Sequence, residues 1–225
     1  MNRAVRSTLP TLFLLLSATS LLRAADTSSP SLKFEKEIQA YEASDQKSPP
    51  PGGAILFTGS SGIRRWTSLA QDFPEHTVIN RGFGGCQLPD VVYYADRIII
   101  PYKPKLIVVG AGGNDINAGK TPQQVLADFQ TLVDKVRAEL PETRIAFLSI
   151  NPSPKRWSQA AEQREANRLV KDYVARGQNL EYIELFDAFL GSDGKPREEL
   201  FVADQLHPNA EGYKVRTLIV RPHLP

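Results

Sequence analysis

The stretch ILFTGSSGIRRW at residues 55–66 decides the fold. Its apolar, strand-forming residues end at Gly59, and two serines, a second glycine and a helix-like Ile-Arg-Arg-Trp segment follow. This order gives a strand, a tight turn that carries hydroxyl groups, and the first turn of a helix. Such a unit either binds phosphate or presents a nucleophilic side chain. The rest of the chain has to distinguish between these two uses.

The same alternation of strand and helix continues along the chain. Strands are predicted at 54–58, 76–80, 105–110, 143–150 and 180–185, and helices at 61–72, 88–99, 121–140, 156–177 and 209–220. The helix at 121–140 is the clearest, because Thr121 can cap it and Pro122 suits its first position. Short apolar strands between helices predict a parallel sheet that is covered on both faces. Right-handed crossovers then make the protein an α/β, three-layer α/β/α sandwich with a five-stranded parallel sheet.

The 225 residues divide into three parts. Residues 1–25 begin with Arg3 and Arg6, continue with an apolar run and end in small residues, which is the order of a secretory signal peptide. Serine and threonine interrupt this run, whereas a membrane-spanning helix needs about 20 mostly apolar residues. We therefore expect a secreted or periplasmic protein without stable membrane insertion after signal cleavage. Residues 26–53 are interpreted as a leading helix and linker, and residues 54–225 as one domain.

The composition argues against several classes of partner. The first 25 residues contain three arginines and no acid, so their removal changes the formal net charge from +2 to −1. No stripe of basic residues interleaved with aromatics remains, and nucleic acid is therefore not an expected partner. Cys86 is the only cysteine and cannot form an internal disulfide. The chain has no CxxC or HExxH motif and only three histidines, so a metal site is not expected.

Polar or glycine-rich turns follow the predicted strands. They are GSSG (59–62), NRGFGGCQ (80–87), GAGGNDI (110–116) and DQLHP (204–208). Ligands of open α/β sheets bind outside the carboxyl ends of the strands, so these turns should meet at one edge. A phosphate-binding Walker loop would need a lysine that the first turn lacks, and GxGxxG does not fit residues 59–64. Phosphate binding is therefore the weaker interpretation.

The turns carry the residue types of nucleophilic catalysis. A serine hydroxyl needs a base to remove its proton, and histidine is the usual base. His207 follows Asp204 by three residues and precedes Pro208, which favours an extended backbone. Asp204 can then bond Nδ1 of the imidazole and leave Nε2 free for a serine. Each turn alone could be purely structural, but four of them at one edge favour a serine hydrolase. The lipase elbow GxSxG does not fit, because Ile63 occupies its second glycine position.

Acyl transfer also requires donors that point at the developing oxyanion. Three groups at this edge are candidates: the backbone N–H of Ser61, an N–H of the GFGG segment at 82–85, and the side-chain amide of Asn114. Each of these also has an ordinary role in a turn. Their occurrence beside the serine, aspartate and histidine is what favours catalysis.

In this order, the four blocks resemble those of the SGNH hydrolases, also called the GDSL esterase family. Ser61 in GSS (59–61) takes the place of the nucleophile, and Gly85 in NRGFGG that of the oxyanion glycine. Asn114 in GGND takes the place of the oxyanion asparagine, and DQLH supplies Asp204 and His207. The resemblance covers about residues 54–220. It implies a flavodoxin-like sheet, ester hydrolysis and no cofactor.

One residue departs from the family pattern. Ser60 replaces the aspartate of GDS, which leaves Ser60 as a less favoured alternative nucleophile.

Cys86 is interpreted as a packed thiol or, less readily, a second nucleophile, and Trp157 as either core or a sugar-stacking surface.

The resemblance and the predicted secretion together imply a serine esterase. Short predicted loops leave no large lid, which favours small, acetyl-type acyl groups on a small-molecule or carbohydrate substrate. The alternatives are a lysophospholipase or thioesterase of the same fold and a non-catalytic carbohydrate-binding module. The sequence does not indicate the oligomeric state.

Overall fold

A five-stranded sheet forms the centre of the structure, a computed structural model that describes Met1 and residues 32–225. The strands are β1 (Ile55–Gly59), β2 (Val78–Gly82), β3 (Leu106–Gly110), β4 (Arg144–Leu148) and β5 (Leu180–Ile183). All neighbours pair in parallel, in the order β2-β1-β3-β4-β5. This is the flavodoxin-like order, so the predicted parallel α/β sheet is confirmed. The predicted signal peptide, apart from Met1, lies outside the described residues.

Helices cover both faces of the sheet. They are α1 (Glu35–Lys47), α2 (Ser61–Arg64), α3 (Leu69–Asp72), α4 (Leu88–Ile98), α5 (Gly113–Asn117), α6 (Pro122–Glu139), α7 (Ala160–Val174) and α8 (Ala210–Val220). Helices α1, α4, α6 and α7 share one core with strand residues such as Leu56 and Ile107. Helices α2, α3 and α8 share the other core with Phe57 and Val108. Neighbouring strand residues point to opposite faces, which produces the three layers. In the described part of the chain, no helix combines the length and apolar character needed to span a bilayer.

The predicted helix at 61–72 is wrong as one element, because the structure divides it into α2 and α3. Nδ2 of Asn80, on β2, lies 2.8 Å from the Ile63 carbonyl oxygen and 3.4 Å from that of Trp66. The Ile63 carbonyl also accepts the N–H of Trp66 at 2.9 Å, whereas in a continuous helix it would accept the N–H of residue 67. Trp66 is buried, and its Nε1 donates to Asp72 at 2.6 Å, which closes the loop between the two helices.

The expectation of short loops fails between β5 and α8. Residues 184–209 connect them and contain two 3₁₀ turns, Asp187–Phe189 and Glu198–Leu200. Phe189, Leu200 and Phe201 form a small buried cluster within this segment. This cluster anchors the segment 184–209 to the domain. The segment is therefore an ordered part of the sheet edge, and it carries His207.

The leading helix α1 packs against α4. Phe34 and Ile38 are buried in the core, while Arg97 of α4 donates to Glu35 at 2.9 Å and to Glu42 at 2.7 Å. Tyr41 is partly buried against the same core. Helix α1 is therefore held by apolar burial and by a pair of ion contacts to α4.

We expect Ile38→Ala to lower the free energy of unfolding by about 2–5 kcal/mol, the usual cost of deleting a buried aliphatic side chain. Leu32 is 66% exposed, so the control Leu32→Ala should change stability by less than about 0.5 kcal/mol. Urea unfolding followed by circular dichroism measures both. Equal, small effects of the two changes would mean that α1 does not stabilise the domain.

Candidate active site

The nucleophile turn is set by a close approach of two strands. Gly59 has φ +125, and a Cβ at this position would lie 2.2 Å from the carbonyl oxygen of Gly110 on β3. Only glycine can therefore occupy it. The N–H of Ser60 donates to the same carbonyl at 3.0 Å, and α2 begins at the next residue, Ser61. The sheet edge thus positions Ser61 directly.

Ser61, His207 and Asp204 form one chain of hydrogen bonds. Oγ of Ser61 lies 2.9 Å from Nε2 of His207, and Nδ1 of His207 lies 2.7 Å from Oδ2 of Asp204. A carboxylate only accepts, so Nδ1 carries the proton and Nε2 accepts the serine O–H. The hydroxyl of Ser60 faces the Gly110 carbonyl oxygen instead, at 3.5 Å. Of the two serines, only Ser61 contacts the imidazole.

Asp204 is held as a carboxylate. Burial alone would raise its pKa, but hydrogen bonds from the His207 ring and from the backbone N–H groups of His207 and Leu206 outweigh that effect. The pKa of Asp204 therefore lies well below its ordinary value. A carboxyl group with a lowered pKa keeps its charge, and so its bond to the imidazole, until the pH falls to that low value.

The turn that carries Asp204 and His207 is braced by backbone contacts. The N–H of Val202 donates to the His207 carbonyl at 2.9 Å, and Gln205 adopts φ +54 at the tip. The N–H of Lys155 donates to the Gln205 carbonyl at 2.9 Å. Asn209 caps α8 and also donates to the Glu199 carbonyl at 2.8 Å. These contacts fix the orientation of the imidazole relative to Ser61.

The predicted oxyanion donors lie in the neighbouring turns. The N–H of Phe83 donates to the Gly59 carbonyl at 2.8 Å, which places the glycine-rich turn beside the serine turn. Among the described residues, neither the Ser61 nor the Gly85 N–H has a hydrogen-bond acceptor. Nδ2 of Asn114 donates to the Cys86 carbonyl at 2.9 Å, which uses one of its two N–H bonds. These three groups each retain an N–H for a ligand.

A cavity of about 90 Å³ adjoins Ser61, and its lining includes Asn114, His207, Arg156 and Arg216. We call it the Ser61 cavity. Gly85 is not among its lining residues, so the structure gathers Ser61, Asn114 and His207 around the cavity and leaves the role of Gly85 a prediction.

Neither arginine of the Ser61 cavity was predicted from the sequence as a site residue. Arg156 donates to the Gly113 carbonyl at 3.1 Å and to Oδ1 of Asn114 at 3.0 Å. Arg216 lies on the buried face of α8, together with Tyr213 and Val220. A charged residue at helical spacing within an apolar stripe was the available signal for Arg216. Arg156 had no comparable signal.

Helix α1 also reaches the site. The carboxylate of Glu37 accepts from Nε of Arg64 at 2.8 Å and from the N–H of Gly84 at 3.4 Å. The hydroxyl of Tyr41 donates to the Gly82 carbonyl. Helix α1 therefore ties the glycine-rich turn to α2, which begins with Ser61. Nothing in the sequence motifs pointed to this role, because residues 37 and 41 lie outside all four blocks.

Cys86 is fully buried, and burial raises the pKa of its thiol well above the ordinary value. Since the thiolate is the reactive form, Cys86 is a packing residue here. The described residues also contain no group of three or more histidine, cysteine, aspartate or glutamate side chains that could hold a metal ion.

A family model described as "GDSL-like Lipase/Acylhydrolase family" matches residues 50–215. The chain belongs to this family. It is accordingly a hydrolase that acts on acyl groups. The match begins after α1. A comparison with curated protein sequences found no match.

Solved structures share the fold of this acylhydrolase. A Streptococcus pneumonia protein named for platelet activating factor is 22% identical, with 86% of this chain and 94% of that chain covered and a TM-score of 0.77. A GDSL-like lipase from Bacteroides thetaiotaomicron is 16% identical, with coverages of 83% and 96% and a TM-score of 0.69. A variant of an acetyl-xylooligosaccharide esterase from Geobacillus Stearmophilus is 15% identical, with coverages of 76% and 94% and a TM-score of 0.60. At these identities the likeness concerns the fold.

Proposed function

We propose that this acylhydrolase cleaves esters of small acyl groups through an acyl-enzyme on Ser61. The observation that carries the proposal is the position of His207, which contacts Ser61 at 2.9 Å and Asp204 at 2.7 Å. These are hydrogen-bond distances at which a proton can pass from serine to imidazole. No other serine hydroxyl among the described residues contacts a histidine ring.

In the first half of the reaction, Ser61 Oγ attacks the ester carbonyl carbon while Nε2 of His207 takes the serine proton. The imidazolium that forms is stabilised by the charged carboxylate of Asp204. His207 then returns the proton to the departing alkoxide oxygen as the carbon–oxygen ester bond breaks. The alcohol leaves, and the acyl group stays on Ser61.

The tetrahedral intermediate carries negative charge on the former carbonyl oxygen. We assign the Ser61 N–H, the Gly85 N–H and the second N–H of Asn114 Nδ2 as its hydrogen-bond donors. Support comes from the absence of acceptors for the two backbone groups within residues 32–225 and from the anchoring of Asn114 by Cys86 and Arg156.

In the second half, water replaces the alcohol. His207 takes a proton from the water as the water oxygen attacks the acyl carbon, and it returns the proton to Ser61 Oγ as the acyl–serine bond breaks. The products are the free acid and the regenerated serine. Each step uses the same three side chains, so no cofactor is required.

The size of the Ser61 cavity supports a short acyl group. Its volume of about 90 Å³ is well below the roughly 300–1,000 Å³ of pockets that enclose drug-sized ligands. A fatty acyl chain of a lysophospholipid would extend beyond it. This supports a small-acyl esterase over a lysophospholipase or a long-chain thioesterase.

A carbohydrate that carries a short-chain ester is the natural substrate class that we favour. The predicted signal peptide would carry the enzyme to the periplasm or the cell exterior, where polysaccharides are accessible. The related fold of the acetyl-xylooligosaccharide esterase is consistent with this choice. Trp157 is only partly buried, beside Arg156 of the Ser61 cavity, and such a ring can supply a flat apolar surface for a sugar.

We expect Ser61→Ala to abolish hydrolysis of p-nitrophenyl acetate, with a loss of up to about 10⁶-fold in kcat. Ser60→Ala is the matched control one residue away, and it should retain substantial activity because Ser60 does not contact His207. Stopped assays with purified, folded variants measure both. An inactive Ser60→Ala variant together with an active Ser61→Ala variant would assign the nucleophile to Ser60 instead.

The kcat/KM for p-nitrophenyl esters should fall as the acyl chain lengthens from acetate to octanoate, because the Ser61 cavity has room for only a few carbon atoms. A series of four chain lengths at fixed pH measures this dependence. A kcat/KM that rises toward octanoate would favour the lysophospholipase or thioesterase alternative.

Asn114→Ala should lower kcat by roughly 10²–10³-fold, the usual cost of one oxyanion donor. Asn117 lies on the same short helix, is exposed and bonds only the partly buried Gln159, so Asn117→Ala is the matched control and should remain active. Steady-state kinetics with p-nitrophenyl acetate compares the two. Equal rates in folded Asn114→Ala and wild type would mean that the GGND turn has only a structural role.

A further inference from the structure

The Ser61 cavity has an unbalanced charge. Arg156 and Arg216 both line it, and no aspartate or glutamate does, within the part of the chain that the structure describes. Neither arginine forms an ion pair with a carboxylate of those residues. Arg97 and Arg168, by contrast, contact two carboxylates each. The charge of the two cavity arginines is therefore not neutralised by a carboxylate of the described residues.

Arg216 has the greater need of a counter-charge, because the residue is only 5% exposed. Nη1 donates to the Gly62 carbonyl at 2.8 Å and Nη2 to Oδ1 of Asn151 at 2.6 Å. Nε has no acceptor among the described residues. Burial lowers the pKa of Arg216, but a guanidinium stays protonated in proteins. A buried charge without a counter-charge is unfavourable, so an anion in this cavity would be stabilised.

Other polar groups line the same region. Gln163 is 2% exposed, and its Oε1 has no partner within the described residues. Its amide can rotate to present N–H groups to an acceptor. The hydroxyls of Ser60 and Ser153 also belong to the lining. A cavity built for an unsubstituted alkyl chain would not bury so many donors.

We propose that the Ser61 cavity binds the carboxylate of a short acyl group, so that the preferred substrates are half-esters of small dicarboxylic acids. The inference rests on the proposed function, since it specifies the acyl group that Ser61 receives. Arg216 is the principal specificity-determining residue. It binds the main-chain carbonyl of Gly62, the residue directly after Ser61, which places its charge within a short chain length of the reacting carbon.

The acyl half of the ester is the part that fits this cavity. During the reaction the alcohol must depart toward solvent past His207, which protonates it. Arg216 and Gln163 both line the cavity and are nearly inaccessible, so neither lies at an opening to solvent through which the alcohol could leave. The acyl group, by contrast, stays attached to Ser61 until water releases it. A bidentate or charge-assisted bond between the guanidinium and the acyl carboxylate would hold that group in place.

The wild-type enzyme provides the first test. Monoethyl succinate and ethyl 4-oxopentanoate have the same length, and a methyl ketone in the second replaces the carboxylate of the first. Titration of the released acid at constant pH measures both. We expect a kcat/KM about 10- to 100-fold higher for the succinate half-ester, the size of one hydrogen bond to a charged group. An equal or higher value for the neutral ester would overturn the proposal.

Substitutions test the role of Arg216 in this preference. Arg216→Gln should bring the ratio of the two kcat/KM values close to one or below, while Arg216→Lys should retain part of the preference because it keeps the charge. Arg168 lies exposed on α7 between Glu165 and Asp172, and Arg168→Gln is the matched control that should retain the wild-type ratio. If Arg216→Gln does not fold, Arg156→Gln should still lower the ratio. An undiminished ratio in a folded Arg216→Gln variant contradicts the assignment.

Two further measurements distinguish failure of the acyl-side assignment from failure of the proposed function. Acetoxyacetate carries its carboxylate on the alcohol side, and a preference for it that Arg216→Gln abolishes would overturn the acyl-side assignment. If the wild type hydrolyses none of these esters, the proposed function fails, and calorimetric titration with free succinate then tests the anion site alone. Binding that Arg216→Gln abolishes would support the site, and absence of binding to the wild type would exclude it.

Discussion

The contact between Ser61 and His207 is the interaction on which the rest of the site depends, and the two residues come from distant parts of the chain. β1 delivers Ser61 to the sheet edge, whereas His207 stands in the turn before α8. Tyr213 and Arg216 of α8 both donate to the Gly62 carbonyl, at 3.2 and 2.8 Å. Two hydrogen bonds thus join α2, which begins with Ser61, to the helix that follows His207. They bring the buried Arg216 close to Ser61.

The opposite side of the nucleophile is supported by α1. Glu37 contacts both Arg64 and Gly84, and Tyr41 contacts Gly82. The glycine-rich turn is therefore held between its own strand and a helix that precedes the residues matched by the family model. A turn that supplies an oxyanion donor must keep its N–H oriented before the charge develops. The apolar burial of α1 and its contacts to this turn serve that requirement together.

Much of the fold and most of the candidate site could be predicted from the sequence, for local reasons. The apolar segments around Leu56, Val108 and Phe147 are short and lie between helical patterns, which is sufficient to predict a parallel sheet. The DQLH block placed Asp204 three residues before His207, and the structure brings both into contact. The division of the helix at 61–72 could not be predicted, because the break is held in part by the side chain of Asn80 on another strand. The apolar stripe of α8 was a sequence signal for the burial of Arg216, but its place in the lining of the Ser61 cavity depends on how α8 packs against α2.

The sequence by itself determined the order of strands and helices, the residue types in each turn and the family to which the chain is similar. These features depend on neighbours a few residues apart, through backbone propensity, helix capping and the steric freedom of glycine. Only the tertiary structure decided which of the two adjacent serines meets His207 and that two arginines line the cavity without a carboxylate. Those facts depend on distances between segments more than a hundred residues apart along the chain, as between Ser61 and His207. Packing of the helices on the sheet, not local sequence preference, sets such distances.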